Sequence, residues 1–81
     1  MATMSPENIQ RIVMEAMADY NKEVTQEYGD EMVASMTVSG IQLRLPDCVS
    51  TGQIVYAVRQ LVKDESFKRL GKDSPRYVMA K

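Results

Sequence analysis

Four carboxylates stand at steps of four in the N-terminal part of the chain: Glu15, Asp19, Glu23 and Glu27. On a helix, side chains four apart are neighbours, so these acids make a stripe that winds slowly around the rod. Like charges at this spacing disfavour the helix by a few tenths of a kcal/mol per pair. A row that opposes its own helix points to a docking face for a larger protein with a basic surface. Such a face speeds association and loses affinity as salt rises. Successive carboxylates lie ~6 Å apart along the axis, near the phosphate spacing of one nucleic-acid strand, so a DNA-mimicking, phage-type inhibitor is a further alternative. The plainer readings are a solvated helix face, and pairing with basic residues of the same chain.

Those basic residues are segregated. Residues 1–40 hold two basic and seven acidic side chains, and residues 41–81 hold eight basic and four acidic ones. A chain of net charge −1 is thus an acidic half followed by a basic half. Arg59 and Lys63 share a helix face, and Lys68, Arg69, Lys72 and Arg76 follow. Phe67 and Tyr77 lie among them, where rings can stack on bases. Nucleic-acid binding through Arg59, Lys63, Lys68, Arg69 and Lys72 is therefore the alternative to protein docking. A pI near 5.3 weighs against it, because nucleic-acid domains usually read strongly basic. The sequence shows no zinc pattern, no glycine-aromatic RNA motif and no clear helix-turn-helix.

Enzyme chemistry finds little to work with. The chain has no His and one Cys, which excludes Ser-His-Asp and Cys-His catalysis, most zinc sites and an internal disulfide. Cys48 precedes an expected helix, a place that favours thiol reactivity, but no His is available to activate it and Asp47 next door works the other way. Ser50-Thr51-Gly52 lacks the glycines and Lys of a phosphate loop. No calcium-loop spacing appears. The expectation is a non-enzymatic regulator, adaptor or inhibitor with no metal and no cofactor.

Local patterns set the elements that would position these groups. Ser5 reads as an N-cap, Pro6 as the first helical residue and Glu7 as a first-turn acid. Apolar residues then recur at threes and fours through Ile9, Ile12, Val13, Ala16, Met17, Tyr20, Val24 and Tyr28, up to Gly29. This predicts a helix over residues 5–28, about 36 Å long. Residues 32–45 read as a β-hairpin turning at Ser39-Gly40. That register puts Met36, Val38, Ile41, Leu43 and Leu45 on one face and Thr37, Gln42 and Arg44 on the other. Ser50 and Gln53 have capping-box spacing, and Ile54, Val55, Val58, Leu61 and Val62 form a stripe. A second helix is predicted over 50–70, kinked near 64–66, where the stripe falters. Residues 72–81 form a tail that could supply a short edge strand.

The expectation is one small α+β domain over residues 1–81, in the order α-β-β-α, with a hairpin packed by two helices. Eighty-one residues, 44% hydrophobic and 26% charged, suit a single folded core but a small one, which favours a homodimer. Seven Met residues fit gap-filling in such a core better than an adaptable surface. No signal-like or membrane-spanning run appears, and a lone Cys suits a reducing compartment, so the chain reads as cytoplasmic.

Overall fold

Helix α1 begins where the sequence signals place it. In a computed structural model, which describes residues 5–29, 34–73 and 75–80, it runs Pro6–Tyr28. The Ser5 hydroxyl accepts the Asn8 amide hydrogen at 3.2 Å, and Gly29 ends the helix at φ 85 while its amide donates to the Thr25 carbonyl. Ile9, Val13, Ala16, Met17 and Val24 are buried along one stripe. Tyr28 continues the spacing but is 60% exposed, since the helix outruns the core beneath it.

The hairpin expected over residues 32–45 is not formed there. Val38–Leu43 is a short helix, α2, with Thr37 as its N-cap accepting the Gly40 amide hydrogen at 3.2 Å. The apolar residues that read as alternating also fit a helical period, because Val38, Ile41 and Leu45 are spaced three and four apart. Ile41 is fully buried and Leu43 is 89% exposed, two residues apart on nearly opposite sides of a helix. The Thr37, Gln42 and Arg44 face dissolves accordingly: Thr37 caps, Gln42 accepts a 2.8 Å hydrogen bond from the Thr51 hydroxyl, and Arg44 reaches back to α1. Residues 30–33, which include the start of the expected first strand, lie outside the described residues.

Helix α3, Thr51–Lys63, carries the capping box read from Ser50 and Gln53: the Ser50 hydroxyl accepts the Gln53 amide at 3.2 Å, and the Gln53 side-chain oxygen accepts the Ser50 amide at 2.9 Å. It stops at Lys63 and does not run to residue 70. Asp64 caps it, Glu65 takes a left-handed φ of 65, and the Glu65 and Ser66 amides donate to the Val62 and Leu61 carbonyls. That is a Schellman ending with Glu where Gly is usual. The reversal brings Phe67 off the helical stripe and buries it to 2%.

The hairpin is built from what followed. Strand β1, Phe67–Leu70, pairs antiparallel with β2, Arg76–Met79, in the register Phe67↔Met79, Lys68↔Val78, Arg69↔Tyr77 and Leu70↔Arg76. Gly71, at φ 86, opens the connection. The described elements therefore run α-α-α-β-β. The molecule is a small α+β domain with its hairpin packed on helices, and the short strand expected in the tail is β2, which lies between β1 and Met36 rather than at an edge. On its other side β2 meets a strand-like residue before α2: Met36 and Tyr77 exchange backbone hydrogen bonds of 3.0 and 2.8 Å. Arg76 secures this seam, donating to the Ser35 hydroxyl at 2.8 Å and the Ser35 carbonyl at 3.0 Å.

One core joins the elements. Ile9, Val13 and Met17 of α1 meet Ile41 of α2, Val49 of the connection after it, Ile54, Val58 and Leu61 of α3, and Phe67 and Tyr77 of the hairpin. Met17 and Met36 are buried in it, and Met14 and Met79 pack against it, so these four act as fillers.

Candidate functional site

The acidic row is real as geometry, since α1 is continuous through Glu15, Asp19, Glu23 and Glu27 and all four are exposed. Two of them are already engaged. Arg11 holds Glu15 at 3.2 Å, an exposed pair one turn apart. Arg44 holds Glu23 through both nitrogens of its fork, at 2.8 and 2.9 Å, and its guanidinium lies 4.9 Å from the centre of the Tyr20 ring. This bidentate bond holds the Glu23 carboxyl below the usual carboxylate range and raises Arg44 further. Arg44 thus places a positive charge on the third member of the row. Asp19 and Glu27 make no ion pair among the described residues.

The basic set is arranged differently. Arg59, Lys63, Lys68, Arg69 and Lys72 are all exposed, and none has a carboxylate partner among the described residues. Helix α3 turns Gly52, Tyr56, Arg59 and Lys63 outward, at steps of four, three and four. The hairpin carries the rest, because the chain reverses at Glu65 instead of continuing the helix. Arg59 and Arg69 come together across one cavity of about 300 Å³, which Val38, Val55, Val62, Pro75 and Tyr77 also line. The Arg69 guanidinium donates to the Lys72 carbonyl at 3.4 Å, which ties the β1–β2 connection to the same place. Lys68 falls on the opposite face of the strand, because neighbours on a strand alternate. Phe67 and Tyr77, read as stacking rings, are buried at 2% and 7% and belong to the core.

The exposed ring beside these cations is Tyr56, at 55%. Sequence reasoning passed over it. The available signal was its position: an aromatic residue off the stripe set by Ile54, Val58 and Leu61, one turn before Arg59. Tyr56 also lines a second groove of about 520 Å³ between the starts of α1 and α3, with Pro6, Ile9, Gln53 and Ala57.

Cys48 is a free, exposed thiol in the turn before α3. Among the described residues no group of three His, Cys, Asp or Glu side chains is placed to hold a metal, and no helix is long and apolar enough to cross a membrane. No protein-family description, curated protein or solved structure matches the chain.

Proposed function

We propose that the protein binds nucleic acid through the outward face of α3 and the hairpin that follows it. The observation that carries this reading is the cationic surface gathered around Arg59 and Arg69, unneutralised among the described residues and edged by an exposed tyrosine. Each residue type there has a use. Arg forks bind phosphate or guanine edges, Lys63 and Lys72 add point charges, and Tyr56 offers a ring to bases or sugars, while Lys68 stands on the other face of β1. The order of elements supports it: α2, a connection over residues 44–50, and α3 form a helix–turn–helix succession, and the hairpin beyond α3 offers a second contact to the backbone. The connection is longer than the 3–4-residue turn of the compact motif. The acidic pI weighs less against the reading than it does in the bare sequence, because five of the eleven acidic side chains stand on α1 rather than on α3 or the hairpin.

Fluorescence anisotropy of labelled duplex DNA, titrated between 50 and 200 mM salt, tests it. Four phosphate contacts, from Arg59, Lys63, Arg69 and Lys72, give a log–log salt slope of about −3.6, and each neutralised cation lowers its magnitude by about 0.9. Absence of binding at 50 mM salt, or an unchanged slope in an R59Q/R69Q variant, refutes it.

A second reading keeps the acidic face of α1 as a docking site for a basic protein, with no enzymatic activity. Asp19 and Glu27 favour it, since they leave the row net negative after Arg11 and Arg44 are counted. The bidentate Arg44 argues against strict phosphate mimicry, which needs the third charge free. Charge reversal at Glu15, Asp19 and Glu27 that leaves capture of a basic partner unchanged removes this reading. In either case a cytoplasmic location is part of the proposal, resting on the lone reduced-type Cys48.

A further inference from the structure

The cavity between α2, α3 and the hairpin has a floor unlike a plain phosphate-binding surface. Val38 comes from α2, Val55 and Val62 from one edge of α3, and Tyr77 from β2. The valines are half-buried and Tyr77 is buried, so the floor is apolar and fixed by the core behind it. Its rim is cationic on two sides. Arg59 sits between Val55 and Val62 on the same helix edge, at steps of four and three. Arg69 is the cross-strand partner of Tyr77 and shares its face of the hairpin. Neither guanidinium meets a carboxylate among the described residues, and the single 3.4 Å bond from Arg69 to the Lys72 carbonyl leaves most of its donors free.

From this juxtaposition we infer that the cavity binds a small amphipathic carboxylate, an acid group on a compact apolar body, with the carboxylate between Arg59 and Arg69 and the body against Val55, Val62 and Tyr77. The size fits: about 300 Å³ is the lower end of ligand pockets and accommodates a ring with a short chain. The chemistry fits as well. A guanidinium fork matches a carboxylate in two parallel hydrogen bonds, and it does so more strongly beside an apolar wall than in open water. A bare inorganic anion would leave the apolar floor wet. The site stands independently of nucleic-acid binding, but it shares Arg59 and Arg69 with that surface, so a bound carboxylate and a bound phosphate backbone exclude each other.

Amide chemical shifts of the full chain, titrated separately with 4-phenylbutyrate, 4-phenylbutanol and inorganic phosphate, test the inference without any nucleic acid. The expected result is saturable binding of 4-phenylbutyrate with a Kd of about 1 mM, with shifts centred on Val38, Val55, Val62 and Tyr77. The alcohol and inorganic phosphate bind at least about tenfold more weakly, and R59Q/R69Q weakens the acid by a similar factor. Both arginines are exposed, so the variant keeps its fold, which its thermal unfolding verifies. Equal binding of acid and alcohol, equal binding of phosphate, indifference to R59Q/R69Q, or shifts centred on the groove at Tyr56 and Ile9 overturns the site. So does a lack of shifts at ten times the expected Kd. Failure of DNA binding with this titration intact removes only the nucleic-acid reading.

Discussion

The molecule carries two rows of like charge, and they are treated in opposite ways. Along α1, Glu15 and Glu23 are each met by an arginine, one from the same helix and one from the turn after α2. On α3 and the hairpin, Arg59, Lys63, Lys68, Arg69 and Lys72 stand with no carboxylate against them among the described residues. The acidic row shows the more regular spacing in the sequence, and the basic one is scattered over residues 59–72. Regular spacing therefore is a poor guide to availability. A charge that the fold has already answered contributes to holding elements together, as Glu23 does between α1 and Arg44. A charge the fold leaves open is free to meet something else.

The largest test of this contrast removes the support common to both rows. Ile54 is fully buried between α1 and the rest of the core. Ile54→Ala is expected to cost about 2–5 kcal/mol in urea unfolding, a large share of the ~4–12 kcal/mol typical for a chain of this length. A loss below about 1 kcal/mol means the two rows are not mounted on one core. Next, R59Q/R69Q is expected to lower the magnitude of the DNA salt slope by about 2. E15Q/D19N/E27Q is expected to strengthen DNA binding slightly by relieving repulsion. The contrast breaks if the acidic variant loses DNA binding instead. Smaller again is Glu65→Gly at the joint between α3 and β1. Relief of a left-handed Glu should raise stability by up to about 1 kcal/mol, offset in part by glycine's freer unfolded chain.

The smallest effect is the pH dependence of the Glu23–Arg44 tie. Because the folded carboxyl is held below its ordinary range, the folded chain binds that proton less readily than the unfolded one. Its stabilising contribution is present above the ordinary carboxylate pKa and is lost as pH falls through the depressed folded value. Thermal melts across that acid range should show the wild type converging on Arg44→Ala, from a small advantage at neutral pH. An advantage that grows with acid contradicts the assignment.

The helices were legible where capping and period agreed. Ser5, Pro6, Gly29 and the Ser50–Gln53 pair are local signals with local causes, and the structure uses each of them. Residues 36–45 misled because a six-residue helix spans less than two turns. Met36 with Val38, and Ile41 with Leu43 and Leu45, alternate on either side of Ser39-Gly40, while Val38, Ile41 and Leu45 also stand three and four apart. Gly40 suggested a turn, whereas Thr37 was already an N-cap. The end of α3 was half legible: Asp64-Glu65-Ser66 marked the break, and Phe67 and Leu70 off the stripe showed that no straight helix could continue. That Arg59 and Arg69 line one cavity is not legible in the sequence, because it depends on the reversal at Glu65 and on the Arg69↔Tyr77 register. The four acids do lie on one helix, but an alternating pattern puts Arg44 on a strand face, which hides its grip on Glu23.

The seam between Met36 and Tyr77 also has a meaning in time. A ribosome adding about 5–20 residues per second needs roughly 2–8 s to travel from one to the other. In that interval α2 and α3 are synthesised, while Ser35 and Met36 have no partner to pair with. Arg76 and Tyr77 act as a latch delivered late, whose arrival fixes a contact 41 residues away. A chain that ends before residue 76 lacks the bonds to Ser35 and Met36 altogether, and so leaves that latch open.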